Sequence, residues 1–116
     1  MKLRYILLSL AAALLLCACS GKSDNKPRYV WIEAAANFSF YANSEANIQR
    51  DCKRIAKAGF TDIVVDVRPT NGNVLFRSSV APKLEKIAKW SDDALRYMDR
   101  TADFDYLDAF ISAGHE

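Results

Sequence analysis

Two carboxylates and one guanidinium are the side chains whose spacing could support chemistry. Glu33 ends one β-branched and aromatic run, and Asp66 and Arg68 lie at the end of a second run with the same parity. Carboxylates transfer protons or accept hydrogen bonds, and a guanidinium offers a planar fork of donors for a hydroxyl or a carboxylate. These residues predict a polar binding site. The alternative is an Arg68–Asp66 or Arg68–Glu33 pair that only neutralises buried charge.

Two strands must position these residues. The range 28–33 (Arg-Tyr-Val-Trp-Ile-Glu) predicts the first, and 61–68 predicts the second, whose Ile-Val-Val segment is typical of a strand covered on both faces. Pro69 cannot donate a hydrogen bond and ends the second strand. The connection is long enough for a parallel crossover. Glu33 and Asp66 are therefore expected at the same edge of one sheet.

The connection between the strands predicts one amphipathic helix. Asn43 or Ser44 is its N-cap, and Gly59 supplies the left-handed residue that ends it. Its apolar stripe consists of Ile48, Cys52, Ile55 and Ala56. Cys52 is expected to be a small buried hydrophobe rather than a reactive thiol or a metal ligand. The preceding range 34–41 is expected to be a loop with exposed aromatics.

The range 69–102 has no clear strand pattern. It predicts a turn at 70–73, a short helix over 82–90 and a capping turn at 91–93. A final helix is predicted after Asp103 or Asp105, with Leu107, Phe110 and Ile111 on its inner face and Gly114 at its end. By periodicity a third strand should follow. The chain is therefore expected to be the opening part of a larger repeating β/α domain.

The N-terminal residues have the layout of an export signal. Lys2 and Arg4 precede an apolar run over 5–19, interrupted only by Ser9 and shorter than the ~20 residues that span a bilayer. The end of this run, Leu-Cys-Ala-Cys, resembles a bacterial lipobox and implies lipidation of Cys19. A plain signal peptide or an uncleaved anchor is the alternative.

This interpretation divides the chain into three parts. Residues 1–18 are the signal peptide, 19–27 the lipidated cysteine and a flexible tether, and 28–116 the folded part. Ser20, rather than Asp, follows the modified cysteine, which favours export to the outer membrane of a bacterial cell envelope. The lipid anchor would hold the protein on the membrane.

Composition excludes several function classes. With 16 Lys+Arg against 14 Asp+Glu, a strongly basic nucleic-acid binder is excluded by bulk charge. An apolar share of 51% excludes a disordered acidic tail. The glycines are isolated, so no phosphate loop is predicted, and neither a cofactor nor a metal is expected.

The order of these segments resembles one family. The range 58–69 (Ala-Gly-Phe-Thr-Asp-Ile-Val-Val-Asp-Val-Arg-Pro) resembles the second strand of the bacterial glycosyl-hydrolase-like family 10 lipoproteins, with its Val-Arg-Pro ending. The range 26–33 is similar to that family's opening strand, and 70–78 to the turn after the second. The ranges 104–107 and 113–116 resemble the start and end of the next helix. Asp66 stands where relatives often have Gln, so its role is open.

The resemblance implies an α/β fold, namely the first β/α units of a (β/α)8 TIM barrel truncated after the second helix. It implies a surface lipoprotein glycoside hydrolase that acts on O-glycosidic bonds of a poly- or oligosaccharide. The catalytic carboxylates are expected beyond residue 116, so the fragment itself would be inactive. Two alternatives are a non-catalytic glycan-binding lipoprotein and a small structural α/β lipoprotein.

The working face of such a barrel is the carboxyl end of its strands. The expected substrate-binding residues are Glu33, Asp66, Arg68, Asn71 and Trp90. Glu33 and Asp66 are expected to orient substrate or neighbouring groups rather than to be the catalytic pair. Aromatic loop residues are candidates for sugar stacking, and they are Phe38, Phe40, Tyr41, Phe76 and Trp90. Trp31 is expected in the core.

Overall fold

A computed structural model describes residues 26–69 and 71–116. The predicted signal peptide, Cys19 and the tether as far as residue 25 lie outside these residues. The described chain is a small mixed α/β domain with two two-stranded sheets and three helices. None of its helices combines the length and the apolar character needed to cross a membrane.

A parallel strand–helix–strand unit forms the first half of the domain. Strands β1 (Tyr29–Ile32) and β2 (Asp62–Val65) pair in parallel, with Tyr29 opposite Asp62 and Ile32 opposite Val65. Helix α1 (Phe38–Tyr41) and helix α2 (Glu45–Lys57) lie between them. The predicted parallel crossover is confirmed, although both strands are shorter than their sequence patterns.

Helix α2 begins and ends where its sequence predicts. The Ser44 hydroxyl accepts a hydrogen bond from the Asn47 backbone N–H at 3.2 Å, which caps the first turn. Gly59 follows the last turn with a φ of +90°, a left-handed conformation that glycine adopts without strain. Cys52 is buried, and burial raises the pKa of its thiol. Its prediction as a core residue is confirmed.

The aromatic residues in and after β1 differ from the sequence predictions in secondary structure and in burial. The range 34–41 contains α1 rather than only loop, and Phe38 and Tyr41 are buried while Phe40 is exposed. Trp31, expected in the core, is 66% exposed. Alternate residues of β1 point to opposite faces, and helices cover only the Ile32 side among the described residues.

A β-hairpin replaces the helix predicted over 82–90. Strands β3 (Lys86–Ser91) and β4 (Ala94–Asp99) pair antiparallel, so the expectation of no strand in 69–102 is wrong. Asp92 and Asp93 form its two-residue turn with φ of 52° and 58°, as a type I′ turn requires. Leu84, Ile87 and Ala88 fit a helix face locally, but cross-strand pairing decides the outcome.

The last helix, α3, spans Tyr106–His115. Asp105 is its N-cap, because its Oδ1 accepts hydrogen bonds from Leu107 N at 3.0 Å and Asp108 N at 3.1 Å. Two details of the prediction are wrong. Ile111 is exposed and Gly114 lies within the helix. The buried face that packs on α2 is Tyr106, Ala109, Phe110 and Ala113, and Ile111 lies about 100° around the helix from Phe110.

Candidate functional site

The carboxyl ends of β1 and β2 bring two predicted site residues together. Ile32 and Val65 are the last paired positions, so Glu33 and Asp66 are the first residues beyond the strands. The Asp66 N–H donates to the Ile32 carbonyl at 2.9 Å, which continues the ladder by one bond. Parallel strands lie about 4.8 Å apart, so the two backbones leave the sheet as direct neighbours.

Glu33 organises the loop that follows β1. Its carboxylate accepts hydrogen bonds from the backbone N–H of Ala35, at 3.1 Å, and of Ala36. The Glu33 carbonyl also accepts from the Asn37 side-chain amide at 2.9 Å. The Glu33 carboxylate, which the sequence predicts as a substrate-binding group, thus fixes the first turn of this loop.

Asp66 joins the two loops at this edge. Its Oδ2 accepts from Ala34 N at 3.3 Å, and its Oδ1 accepts from Arg68 N at 2.9 Å. Each carboxylate oxygen keeps a second lone pair for another donor. Glu33 and Asp66 together form a hydrogen-bonded acceptor surface that can receive hydroxyl or ammonium donors.

Arg68 is exposed, and the described part of the chain does not show the ion pair that is the alternative to a ligand-binding role. No ion pair links it to Asp66 or Glu33 within the described residues. Its guanidinium nitrogen lies 3.4 Å from where a Cβ on Gly72 would stand, and Gly72 has a φ of +84°. Asn71 shapes this turn, because its Oδ1 accepts from Asn73 N at 3.2 Å. Arg68 therefore lies along a glycine turn and is exposed there.

Trp90 lies on β3 rather than at the strand ends that carry Glu33 and Asp66. Its side chain is 69% exposed. Phe76 is half-buried beside the cleft described below. The five aromatics named as a stacking platform are thus separated, since Phe38 and Tyr41 belong to the core.

Arg100 ties the base of the hairpin to the loop after β1. Its side chain is buried, and its guanidinium donates to the carbonyls of Ala42, at 3.3 Å, of Leu75, at 3.0 Å, and of Phe104. Sequence reasoning missed this residue, because nothing separates it from the other 15 basic residues. Its role depends on three chain segments that meet only in the fold.

Asn43 makes the same connection from the other side. Its Nδ2 donates to the Asp99 carbonyl at 2.8 Å, and its Oδ1 accepts from Thr101 N at 2.8 Å and Ala102 N at 3.1 Å. The loop after β1 and the hairpin base therefore form one structure. The hairpin, inserted after β2, belongs to the same end of the sheet as Glu33 and Asp66.

Tyr106 adds an unpaired hydroxyl beneath this edge. Its side chain is fully buried, and its hydroxyl has no hydrogen-bond partner among the described residues. Burial raises its pKa above the usual range, and the negative charges of Asp66 and Glu33 act in the same direction. The phenol therefore stays protonated and can serve only as a neutral donor or acceptor.

Two clefts accompany the site. One, of 240 Å³, is lined by both cations and carboxylates, among them Arg77, Lys83 and Asp103. The other, of 470 Å³, runs along β2 and is lined largely by apolar side chains of β2, α2 and α3. Among the described residues no group of three or more His, Cys, Asp or Glu could hold a metal ion.

Comparison with protein-family models, with curated proteins and with solved structures finds no match to this chain.

Proposed function

We propose that the chain forms the first β/α units of a (β/α)8 barrel in an exported, lipid-anchored protein that acts on glycans. The substrate would lie across the carboxyl ends of β1 and β2, against Glu33, Asp66, Arg68 and Asn71. The catalytic carboxylates would come from further strands of the same barrel. Export and lipidation at Cys19 are supported by the sequence pattern of residues 1–20.

One observation carries this proposal. Glu33 and Asp66 directly follow paired positions of two parallel strands, and their acceptor oxygens share one edge. Ligands of parallel α/β folds bind at this edge, where loops after the strands converge. A surface that presents carboxylate acceptors beside the exposed Arg68 donors suits a molecule with many hydroxyl groups, which both donate and accept hydrogen bonds.

The outer edge of β2 supports the barrel. Within the described residues β2 pairs only with β1, and the 470 Å³ cleft runs along this strand. Ile63 and Val65 of β2, with Leu107 and Ile111 of α3, line that cleft. Another parallel strand at this edge would bury these side chains and pair the free backbone groups, as a closed barrel requires.

A non-catalytic glycan-binding lipoprotein is the second candidate. It requires only the surface described above, where Glu33 and Asp66 each accept hydrogen bonds from two backbone N–H groups. Carboxylates fixed in this way hold loops and orient hydroxyls, and they are poorly placed to exchange protons with a substrate.

The test uses the intact natural protein, exported and purified from its membrane in detergent. Release of reducing ends from a panel of neutral and acidic polysaccharides measures hydrolysis, and isothermal titration with the same glycans measures binding. The Arg68→Ala variant is compared with Lys57→Ala, a solvent-exposed control at the end of α2.

Hydrolysis that weakens on Arg68→Ala but not on Lys57→Ala supports the enzyme. Binding without product release, with the same dependence on Arg68, assigns the second candidate instead. If no glycan is bound or cleaved by the intact protein, both functions are wrong.

A further inference from the structure

The hairpin has one exposed apolar face. Side chains of paired strands alternate between faces, and the register pairs Ala88 with Tyr97 and Trp90 with Leu95. These four residues therefore share one face of the hairpin, which we call the hairpin platform. The opposite face carries Ile87, which is buried, and Met98, which packs against the core. The core thus covers the apolar side chains of the opposite face, whereas those of the platform are exposed.

The platform exposes large rings. Trp90 is 69% exposed, Tyr97 59% and Leu95 51%. Trp90 and Tyr97 are diagonal neighbours across the strands, at a spacing of roughly 7 Å. Lys86 holds its ammonium 5.1 Å from the centre of the Tyr97 ring, a cation–π contact that orients this ring. Single exposed apolar side chains are ordinary on a protein surface, but here a tryptophan, a tyrosine and a leucine lie together on one face.

The size of the platform limits its occupant. Six-residue strands are about 20 Å long, and a two-stranded face covers about 200 Å². A stable protein interface buries about 800 Å² per partner. The platform is therefore too small to hold a second copy of the chain by itself, and its two neighbouring rings suit a short oligosaccharide.

The charge of the hairpin further restricts which class of ligand the platform could bind. Between residues 86 and 99 there are three cations and three carboxylates, namely Lys86, Lys89, Arg96, Asp92, Asp93 and Asp99. Anionic lipid headgroups require an excess of basic residues, which this hairpin lacks. A hairpin that carries equal numbers of positive and negative side chains instead suits an uncharged ligand with hydroxyl groups.

We propose that the hairpin platform binds a neutral oligosaccharide by stacking Trp90 and Tyr97 on the apolar C–H faces of its sugar rings. Because Asn43 and Arg100 fix the hairpin to the loop after β1, the platform would extend the edge that carries Glu33 and Asp66. The proposal rests on the glycan function in the sense that both surfaces would bind one chain. Tyr97 is the residue that it adds.

The test measures binding of cellohexaose, xylohexaose and chitohexaose to the intact protein by isothermal titration. Trp90→Ala and Tyr97→Ala should each weaken the affinity for at least one of these probes about tenfold, since each removes an aromatic face. Trp90→Phe should recover most of the loss. Lys89→Ala is the matched control, because Lys89 is exposed on the opposite face of the same strand.

Equal affinities in Trp90→Ala and Lys89→Ala proteins, or no binding of any of the three probes, would overturn the proposal. So would binding to vesicles of phosphatidylcholine and phosphatidylglycerol, or dimerisation, that Trp90→Ala abolishes. Failure of the platform is separable from failure of the edge site, by which we mean Glu33, Asp66, Arg68 and Asn71 at the carboxyl ends of β1 and β2. If hydrolysis depends on Arg68 and not on Trp90, the proposal for the edge site stands and that for the platform fails. If binding depends on Trp90 and no hydrolysis occurs, the proposal for the platform stands.

Discussion

The carboxylate of Asp66 accepts a hydrogen bond from the backbone N–H of Ala34, 32 residues earlier in the chain, at 3.3 Å. Its second oxygen accepts from the N–H of Arg68. One side chain at the end of β2 therefore holds the loop after β1 and the exit of its own strand. Whatever binds at this edge meets a surface whose shape depends on this carboxylate.

Asp66→Asn is expected to loosen both loops. Asparagine keeps one acceptor oxygen and places an NH2 group against the other backbone N–H, which leaves a donor facing a donor. An unsatisfied polar group of this kind costs about 1–3 kcal/mol, so the free energy of unfolding should fall by that amount in urea titration. Faster hydrogen exchange at Ala34 or Arg68 should accompany the loss.

The control for that measurement is Asp108→Asn, an exposed position in the first turn of α3. It should change the free energy of unfolding by less than about 0.5 kcal/mol. If Asp66→Asn were as stable as this control and its exchange rates were unchanged, Asp66 would not hold the loops.

Arg100→Met is expected to lower the free energy of unfolding by more than Asp66→Asn does. The substitution keeps an apolar stem but leaves the carbonyls of Ala42, Leu75 and Phe104 without their donor. We expect a loss of about 2–4 kcal/mol in the free energy of unfolding. Arg100→Lys should recover little, because a compact ammonium cannot span three carbonyls as a planar guanidinium does.

Arg96→Met provides the comparison for Arg100. Arg96 is exposed on the hairpin, and its ion pair within the described part of the chain is a 3.8 Å contact with Asp92. Its replacement should change the stability by no more than about 0.5 kcal/mol. Similar losses at both positions would contradict a special role for Arg100.

The parallel unit of β1, α2 and β2 could be predicted because local signals agree. The Ser44 cap, the stripe around Cys52 and the Gly59 terminus all indicate one helix, and the runs beside it suit only strands. Parallel pairing then follows from connection length. The meeting of Glu33 and Asp66 at one edge follows in turn, so this part of the site was accessible to sequence reasoning.

The hairpin could not be predicted in the same way. Over 84–88 the apolar residues fit a helix, and the turn Asp92-Asp93 lacks the glycine that usually identifies a type I′ turn. Its formation depends on pairing with 94–99, which a local pattern does not contain. Trp90 is a candidate for sugar stacking by its residue type alone, whereas Tyr97 can be recognised as its neighbour only from the pairing register of the two strands.

Asp93→Gly is expected to stabilise the hairpin. Asp93 has a φ of 58°, a left-handed conformation in which a side chain is strained and glycine is not. The free energy of unfolding should rise by about 0.5–1 kcal/mol. Asp93→Val should lower it, because a β-branched residue tolerates positive φ poorly. Opposite signs for the two variants in urea titration are the expected result, and a loss of stability for glycine would contradict this conformation.

The acid stability of the domain should depend on Asp105. Partial burial raises the pKa of Asp105, but hydrogen bonds from the backbone of Arg77, Asp108 and Leu107 outweigh it and hold this pKa below its usual value. The unfolded chain has an Asp pKa of about 3.9. The stabilisation is therefore complete above about pH 4 and is lost as pH falls through the lower, folded pKa.

Asp105→Asn should remove part of this dependence, because an amide caps the helix without titrating. Its unfolding free energy should decline less steeply than the parent's below pH 4. Asp51 contributes in the same window, since a hydrogen bond from Arg50 lowers its pKa to about 2, so Asp51→Asn is measured in parallel. If the unfolding free energy of Asp105→Asn declines below pH 4 as steeply as that of the parent, the assignment is wrong. If instead the reductions in slope caused by Asp105→Asn and Asp51→Asn are additive, the two carboxylates act independently.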